Sequence, residues 1–315
     1  MKKFNHIIVG IDFSPGSRSA LATAVRFAAR DEAKVTAVHV IDPILAAELK
    51  TAHGFTDKQL FDSVAGRVRH FMDQTEVGAD LVDIDLDVGN AFVAIVAACH
   101  RHKADLLILG SRGSEHAHNQ IGAVAAKCIR KAPTDVLLLR TGATGPFKQV
   151  LACVDFSETS AKAVRSARHV AELDRAKLEC LYVHQSPLAL AVDYGGFVPP
   201  LPEAVEGDSS AVWQRDLDLF LSPLLRTSEN LEWKGVVDER VGIRDAIYDH
   251  AKESKTDLVV LGTRGKTDLR ALLFGTTAEK VISHAPCSIL AIKPEGFEYP
   301  LEEVPDPESA PAPLA

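Results

Sequence analysis

Residues 6–21 read HIIVGIDFSPGSRSAL and residues 149–164 read QVLACVDFSETSAKAV, which sets Asp12 opposite Asp155 at an offset of 143. The echo continues downstream. ADLLILGSRG at 104–113 returns as TDLVVLGTRG at 256–265, and KAPTDVLLLR at 131–140 returns as HAPCSILAIK at 284–293, at offsets of 152 and 153. Self-similarity at that period means two copies of one domain. The offset grows between the second and third strands of the second copy. There Ser186–Gly207, SPLALAVDYGGFVPPLPEAVEG, forms an apolar, Gly/Pro-rich connection.

Within each copy short β-branched runs alternate with amphipathic helical stretches, the pattern of βαβ units on a parallel sheet. The predicted fold is α/β, two tandem doubly wound parallel-sheet domains of five strands each. Strands of the first copy are predicted at His6–Ile11, Val35–Ile41, Leu81–Val88, Asp105–Gly110 and Val136–Arg140. Leu60, Val64, Val68 and Phe71 share one helical face, as do Leu217, Phe220, Leu221 and Leu224, with Pro223 expected to end or kink the second of these helices. A linker of turn formers, TGATGP, places the boundary so that residues 1–144 form the first domain and 145–293 the second. Residues 294–315 form a Pro-rich acidic tail, expected to be mobile and without an element of its own.

The chain has 315 residues, more than one core usually serves, with 46% hydrophobic and 25% charged residues, a globular composition. Of its 43 acids, six lie in the tail, so the body carries 37 acids against 35 bases and a charge near −2. Without a basic excess, or a basic stripe interleaved with aromatics, nucleic acid is set aside as a partner. No apolar stretch approaches the length of a membrane span or of a secretory leader, and a cytoplasmic protein is expected. Five cysteines without any CxxC argue against a disulfide framework and a zinc ribbon.

Chemistry is expected after the fourth strand of the second copy. That strand ends at Gly262, followed by Thr263, Arg264 and Gly265, then nine residues, then Gly275, Thr276 and Thr277 opening a helix. Glycines let backbone approach a ligand, free amides at a helix N-terminus face an anion, and threonine hydroxyls add donors. If the first and fourth strands are neighbours where strand order reverses, Asp155 and the glycine loop flank one crevice, which suits a nucleoside phosphate. From these residues alone, two turn glycines and a threonine helix cap explain the pattern equally well.

The repeated DFS, glycine loop and APxSIL-type fifth strand resemble the universal stress protein family over almost the whole chain. ATP-binding members of that family carry GxxG, nine residues, then Gly followed by Ser or Thr, and residues 262–276 match this without a gap. The resemblance implies a Rossmann-like fold and a cytoplasmic stress-response protein with ATP, together with magnesium, in the second copy. It implies adenosine beside Asp155, backbone contacts from Val154 and Val183, and phosphates on Gly262, Arg264, Gly265, Gly275, Thr276 and Thr277. The first copy departs from the pattern. Gly110, Ser111, Arg112 and Gly113 precede only eight residues before Gly122, and Ala123 and Val124 replace the hydroxyls. A packing role is expected for it, completing an intramolecular pair like the dimer of two single-domain members.

Other readings stay open. GxSxG, HExxH, Walker and dinucleotide motifs are absent, so any ATP hydrolysis is expected to be slow and regulatory. His100, His102, His116 and His118 have no carboxylate at established ligand spacing, and are expected to be solvated surface residues. His39 and His184 are expected to pack or hydrogen-bond at strand ends. A nucleotide-free interaction or carrier protein using the 186–207 connection is the alternative, and a protein partner or homodimer fits either reading.

Overall fold

The apolar runs form parallel strands, and the amphipathic stretches between them form helices that cover both sheet faces. The structure is a computed structural model. It describes residues 3–75, 81–111, 121–143, 145–185, 209–226, 230–240, 242–265 and 275–298. In the first repeat β1 His6–Gly10, α1 Pro15–Asp31 and β2 Lys34–Ile41 are followed by α2 Pro43–His53 and α3 Asp57–Asp73. Next come β3 Asp83–Val88, α4 Ala91–Arg101, β4 Leu106–Gly110, α5 Ala123–Lys131 and β5 Asp135–Leu139. The second repeat runs β6 Gln149–Val154, α6 Glu158–Asp174, β7 Lys177–His184, α7 Ser209–Leu225 and β8 Trp233–Glu239. It closes with α8 Ile243–Glu253, β9 Leu258–Gly262, α9 Thr276–His284 and β10 Ser288–Ile292.

Strand order is β3-β2-β1-β4-β5-β10-β9-β6-β7-β8 in one ten-stranded sheet. Every pair within a repeat is parallel, whereas β5 and β10 pair antiparallel with Leu137 opposite Leu290. The two repeats thus share a continuous sheet through their fifth strands. In each repeat the first and fourth strands are neighbours, which makes their C-terminal ends the switch point of a doubly wound sheet. Helices α1, α2, α3, α6 and α7 bury their apolar residues on one face, and α4, α5, α8 and α9 on the other.

Strand bounds differ from the predicted ones by a residue or two. β3 begins at Asp83, where pairing with Thr36 starts, while Leu81 is left exposed. Leu60, Val64, Val68 and Phe71 are buried on α3 as their spacing predicts. On α7, Leu217, Leu221 and Leu224 are buried and Phe220 packs at the edge of the core. Pro223 lies inside the last turn of α7, and the helix stops two residues later at Leu225. Proline has no N–H to give the preceding turn.

The repeat extends to backbone conformation. The non-glycine residues with positive φ, among the described residues, fall into the equivalent pairs Phe13/Phe156, Glu32/Arg175 and Lys103/Lys255. At the start of the tail, 294–298 make a turn in which Phe297 N donates to Pro294 O at 3.3 Å. The rest of the tail and the 186–207 connection lie outside the described residues. No described helix is long and apolar enough to cross a membrane.

Candidate functional site

Asp155 follows β6, and its carboxylate shapes the chain into α6. Oδ1 accepts from Ser157 N at 3.0 Å and Ser157 Oγ at 2.5 Å. The Ser157 hydroxyl in turn accepts from Ser160 N at 3.1 Å and caps α6. Between them Phe156 is held at φ +61°, a left-handed conformation that costs a bulky residue energy unless its surroundings enforce it. The enforcement is aromatic packing, with ring centroids of Tyr182 and Phe220 at 4.6 and 5.3 Å. Burial, and then the charges of Asp155 and Asp216, push the Tyr182 phenol above its ordinary pKa, so a neutral hydroxyl adjoins the carboxylate.

The second Asp155 oxygen faces the glycine loop. A Cβ placed on Gly265 would lie 2.7 Å from Oδ2, so any side chain there displaces the carboxylate. Gly262 is similarly close to α6, with a Cβ at 2.9 Å from Thr159 Cγ2. Thr263 anchors the loop to β10 by donating its N–H and hydroxyl to Ile292 O at 2.9 and 3.0 Å. Gly275 N then donates to Thr263 O at 3.0 Å and closes the loop at its far end. α9 starts there with Gly275 as its N-cap and no side-chain cap, leaving its first-turn amides for another acceptor. The loop between, 266–274, lies outside the described residues.

The predicted residues are thus brought together unequally. Asp155 and Gly265 meet directly, and Gly262, Gly275 and Thr277 share the loop and helix start. Thr276 is the first residue of α9. Val154 and Val183 are buried near the ends of β6 and β7, one and two strands over from the strand that leads into the loop. The Arg264 guanidinium lies 5.8 Å from the ring centroid of Phe297 at the start of the tail. Lys293 Nζ lies 4.6 Å from the centroid of the same ring. Lys293 also donates to Ile129 O and Arg130 O, at 2.7 and 2.9 Å, at the end of α5. Burial pulls its pKa down to about 7, against the favourable charge of Asp135. Sequence reasoning missed both Lys293 and Phe297, because the contact depends on how the two repeats pair.

The first repeat keeps most of this geometry. Asp12 Oδ1 accepts from Ser14 N at 3.0 Å, and Phe13 sits at φ +62°. Gly122 N donates to Ser111 O at 2.9 Å, so the loop shorter by one residue closes with the same backbone bond. What differs at the start of α5 is chemistry, since Ala123 and exposed Val124 stand where α9 has threonines. Arg112, Gly113, His116 and His118 lie outside the described residues.

His102, expected to be solvated, is paired instead with Asp85 at 3.0 Å and stands 5.1 Å from the His6 ring. The pairing arises because β3 places Asp85 beside the end of α4, which the sequence spacing does not reveal. His39 hydrogen-bonds Ile11 O at 2.8 Å and His184 packs on Trp213 at 4.7 Å, as expected of strand-end residues. The cysteines are free, and burial drives the thiols of Cys128, Cys153 and Cys287 up to about 12. No metal-holding cluster of His, Cys, Asp and Glu occurs among the described residues. A cavity of about 560 Å³ lies on the seam between the repeats, lined by Ser111, Arg140, Tyr248 and Cys287 among others. None of the nine predicted residues lines it.

Fold and site define a class: a duplicated doubly wound α/β protein whose switch-point crevice joins a carboxylate to a glycine loop and an uncapped helix start. The universal stress protein family model matches residues 3–140 and again 146–293, and the chain belongs to that family. A universal stress protein E homolog from Haemophilus influenzae is 26% identical, over 93% of this chain and 98% of its own length. Universal stress protein E of Photorhabdus laumondii is 24% identical, over 96% of this chain and 99% of its own. A solved universal stress protein from Archaeoglobus fulgidus DSM 4304 superposes over 93% of this chain and 99% of its own, with TM-score 0.64 and 18% identity. These relatives share the two-repeat length, so the chain is a tandem member, and its family supports a role in the stress response.

Proposed function

We propose that the second repeat binds ATP and that occupancy there biases the protein's conformation or its choice of protein partner in a stress response. The observation that supports this best is the contact between Asp155 Oδ2 and Gly265, which pairs a ribose-binding type of acceptor with a loop whose backbone is bare. Phosphate would lie against the loop amides and the start of α9, where backbone N–H groups and the helix dipole favour an anion. The Thr277 hydroxyl adds a donor there. Magnesium would travel with the phosphates, since Asp155 supplies a single carboxylate and one of its oxygens is already taken by Ser157.

Calorimetric titration of ATP with magnesium tests this. Wild type is expected to show saturable binding near one site per chain, weakened at least tenfold by Asp155→Ala and abolished by Gly275→Val with Thr276→Val. Absence of binding to folded wild type would overturn the reading in favour of a nucleotide-free interaction protein. Hydrolysis is expected to be slow, because no metal-holding cluster of His, Cys, Asp and Glu occurs among the described residues.

A further inference from the structure

The face of the first repeat opposite α4 and α5 carries a groove of about 500 Å³ between α1 and α3. Its lining includes Phe13, Arg18, Gly66, Arg67, His70 and Phe71. Arg67 Cζ lies 4.9 Å over the Phe13 ring and Arg18 Cζ 4.9 Å over the Phe71 ring, while the two rings meet edge to face at 5.6 Å. The result is a row of guanidinium, ring, ring, guanidinium. A guanidinium over a ring keeps its N–H groups for acceptors such as phosphate or carboxylate, and those of Arg18 are held by Gln74, a neutral partner that an anion can displace.

Three observations give the row a ligand. First, neither arginine forms an ion pair among the described residues, and the lining contains no carboxylate. Arg18 donates to Gln74 O and Oε1 at 3.1 and 3.2 Å, both neutral acceptors. Arg67's charge reaches as far as His39, where burial first and then Arg67 hold the imidazole pKa low. Second, Gly66 stands in the middle of α3, and a Cβ added there would meet nothing within 4 Å. Packing does not require that glycine, which costs a helix about 1 kcal/mol relative to alanine. It leaves the floor of the groove bare between Ser63, Arg67 and His70. Third, the equivalent Phe156 of the second repeat is surrounded by Tyr182, Trp213 and Phe220, so the fold does not demand a basic groove at this place.

We propose that the α1–α3 groove of the first repeat is a binding site for a small phosphorylated molecule, held through its phosphate by Arg18 and Arg67 with His70 at the rim. The groove is open to solvent, so a ligand held there would be gripped on its phosphate side and exposed on the other. The site is independent of the nucleotide proposed for the second repeat.

Inorganic pyrophosphate, titrated into the full chain by calorimetry, is the probe. One saturable site is expected, weakened at least tenfold by Arg67→Gln and by Gly66→Gln, which places a side chain on the groove floor. Gly66→Gln is also expected to keep or raise the melting temperature, so its loss of binding would not be a loss of fold. Binding should persist in the Gly275→Val, Thr276→Val variant. The proposal is overturned if wild type shows no saturable binding, if either groove variant binds like wild type, or if the loop variant abolishes binding and so relocates the anion to the second repeat.

Discussion

Lys293 is the residue at which charge and burial conflict most plainly. Its ammonium donates to two carbonyls at the end of α5, a favourable place for a cation, yet burial brings its pKa down to about 7. In the unfolded chain a lysine titrates near 10.4. Between pH 7 and that value the unfolded state therefore holds more protons, and the lysine's contribution to stability rises with pH. It falls to its minimum as pH drops through 7 and the buried ammonium charges. The buried cysteines pull the opposite way above about pH 8.5, where unfolded thiols ionise and folded ones do not. The difference between wild type and Lys293→Met isolates the lysine. That difference is expected to shift in favour of wild type by up to about 1.4 kcal/mol per pH unit from pH 7 to 10 in urea unfolding. A difference that stays flat across the range would show that the folded lysine titrates normally.

At the scale of elements, the glycine loops show what sequence carries and what it does not. The strands and their parallel character were legible, whereas the meeting of Asp155 with Gly265 was legible only on the condition that the first and fourth strands are neighbours, which the pairing of β6 with β9 supplies. The shared closure of both loops was not legible: the loop of the first copy is one residue shorter, yet Gly122 N reaches Ser111 O at 2.9 Å. Backbone closure depends on where a helix starts, and the strand and helix starts are fixed by packing and not by loop length. The engagement of Arg264 with Phe297 was equally invisible, since a tail contact has no periodicity. Gly265→Ala separates scaffold from site. Among the described residues its Cβ would meet the Asp155 carboxylate, 2.7 Å away, which must shift by turning about its Ser157-bound oxygen. ATP affinity is expected to fall at least tenfold while the melting temperature moves by no more than about 2 °C. Unchanged affinity would remove Asp155 from the site.

The whole molecule is held by a pseudo-twofold arrangement that reaches beyond the shared sheet. Asp31 of α1 pairs with His169 of α6 at 2.6 Å, and the equivalent Asp174 of α6 pairs with Arg26 of α1, so the two helices exchange reciprocal ion pairs. Each aspartate also accepts a backbone N–H from the chain entering its repeat, Phe4 N at 2.9 Å and Phe147 N at 2.8 Å. Asp31 and His169 are both almost wholly buried, and removing the aspartate leaves His169 Nε2 and Phe4 N without their acceptor, at about 1–3 kcal/mol for each buried group. With ten strands in one sheet and ion pairs across the helices, the repeats should unfold as a unit. Both tryptophans, Trp213 and Trp233, belong to the second repeat, so their fluorescence reports on that half while far-ultraviolet circular dichroism reports on both. In wild type the two signals are expected to change together in urea. Asp31→Ala, a change in the first repeat, is expected to lower stability by about 3 kcal/mol or more and to move both signals to the same new midpoint. If the dichroism curve splits while the fluorescence midpoint stays fixed, the repeats are two independent folding units, and any influence of one site on the other must pass through something other than this interface.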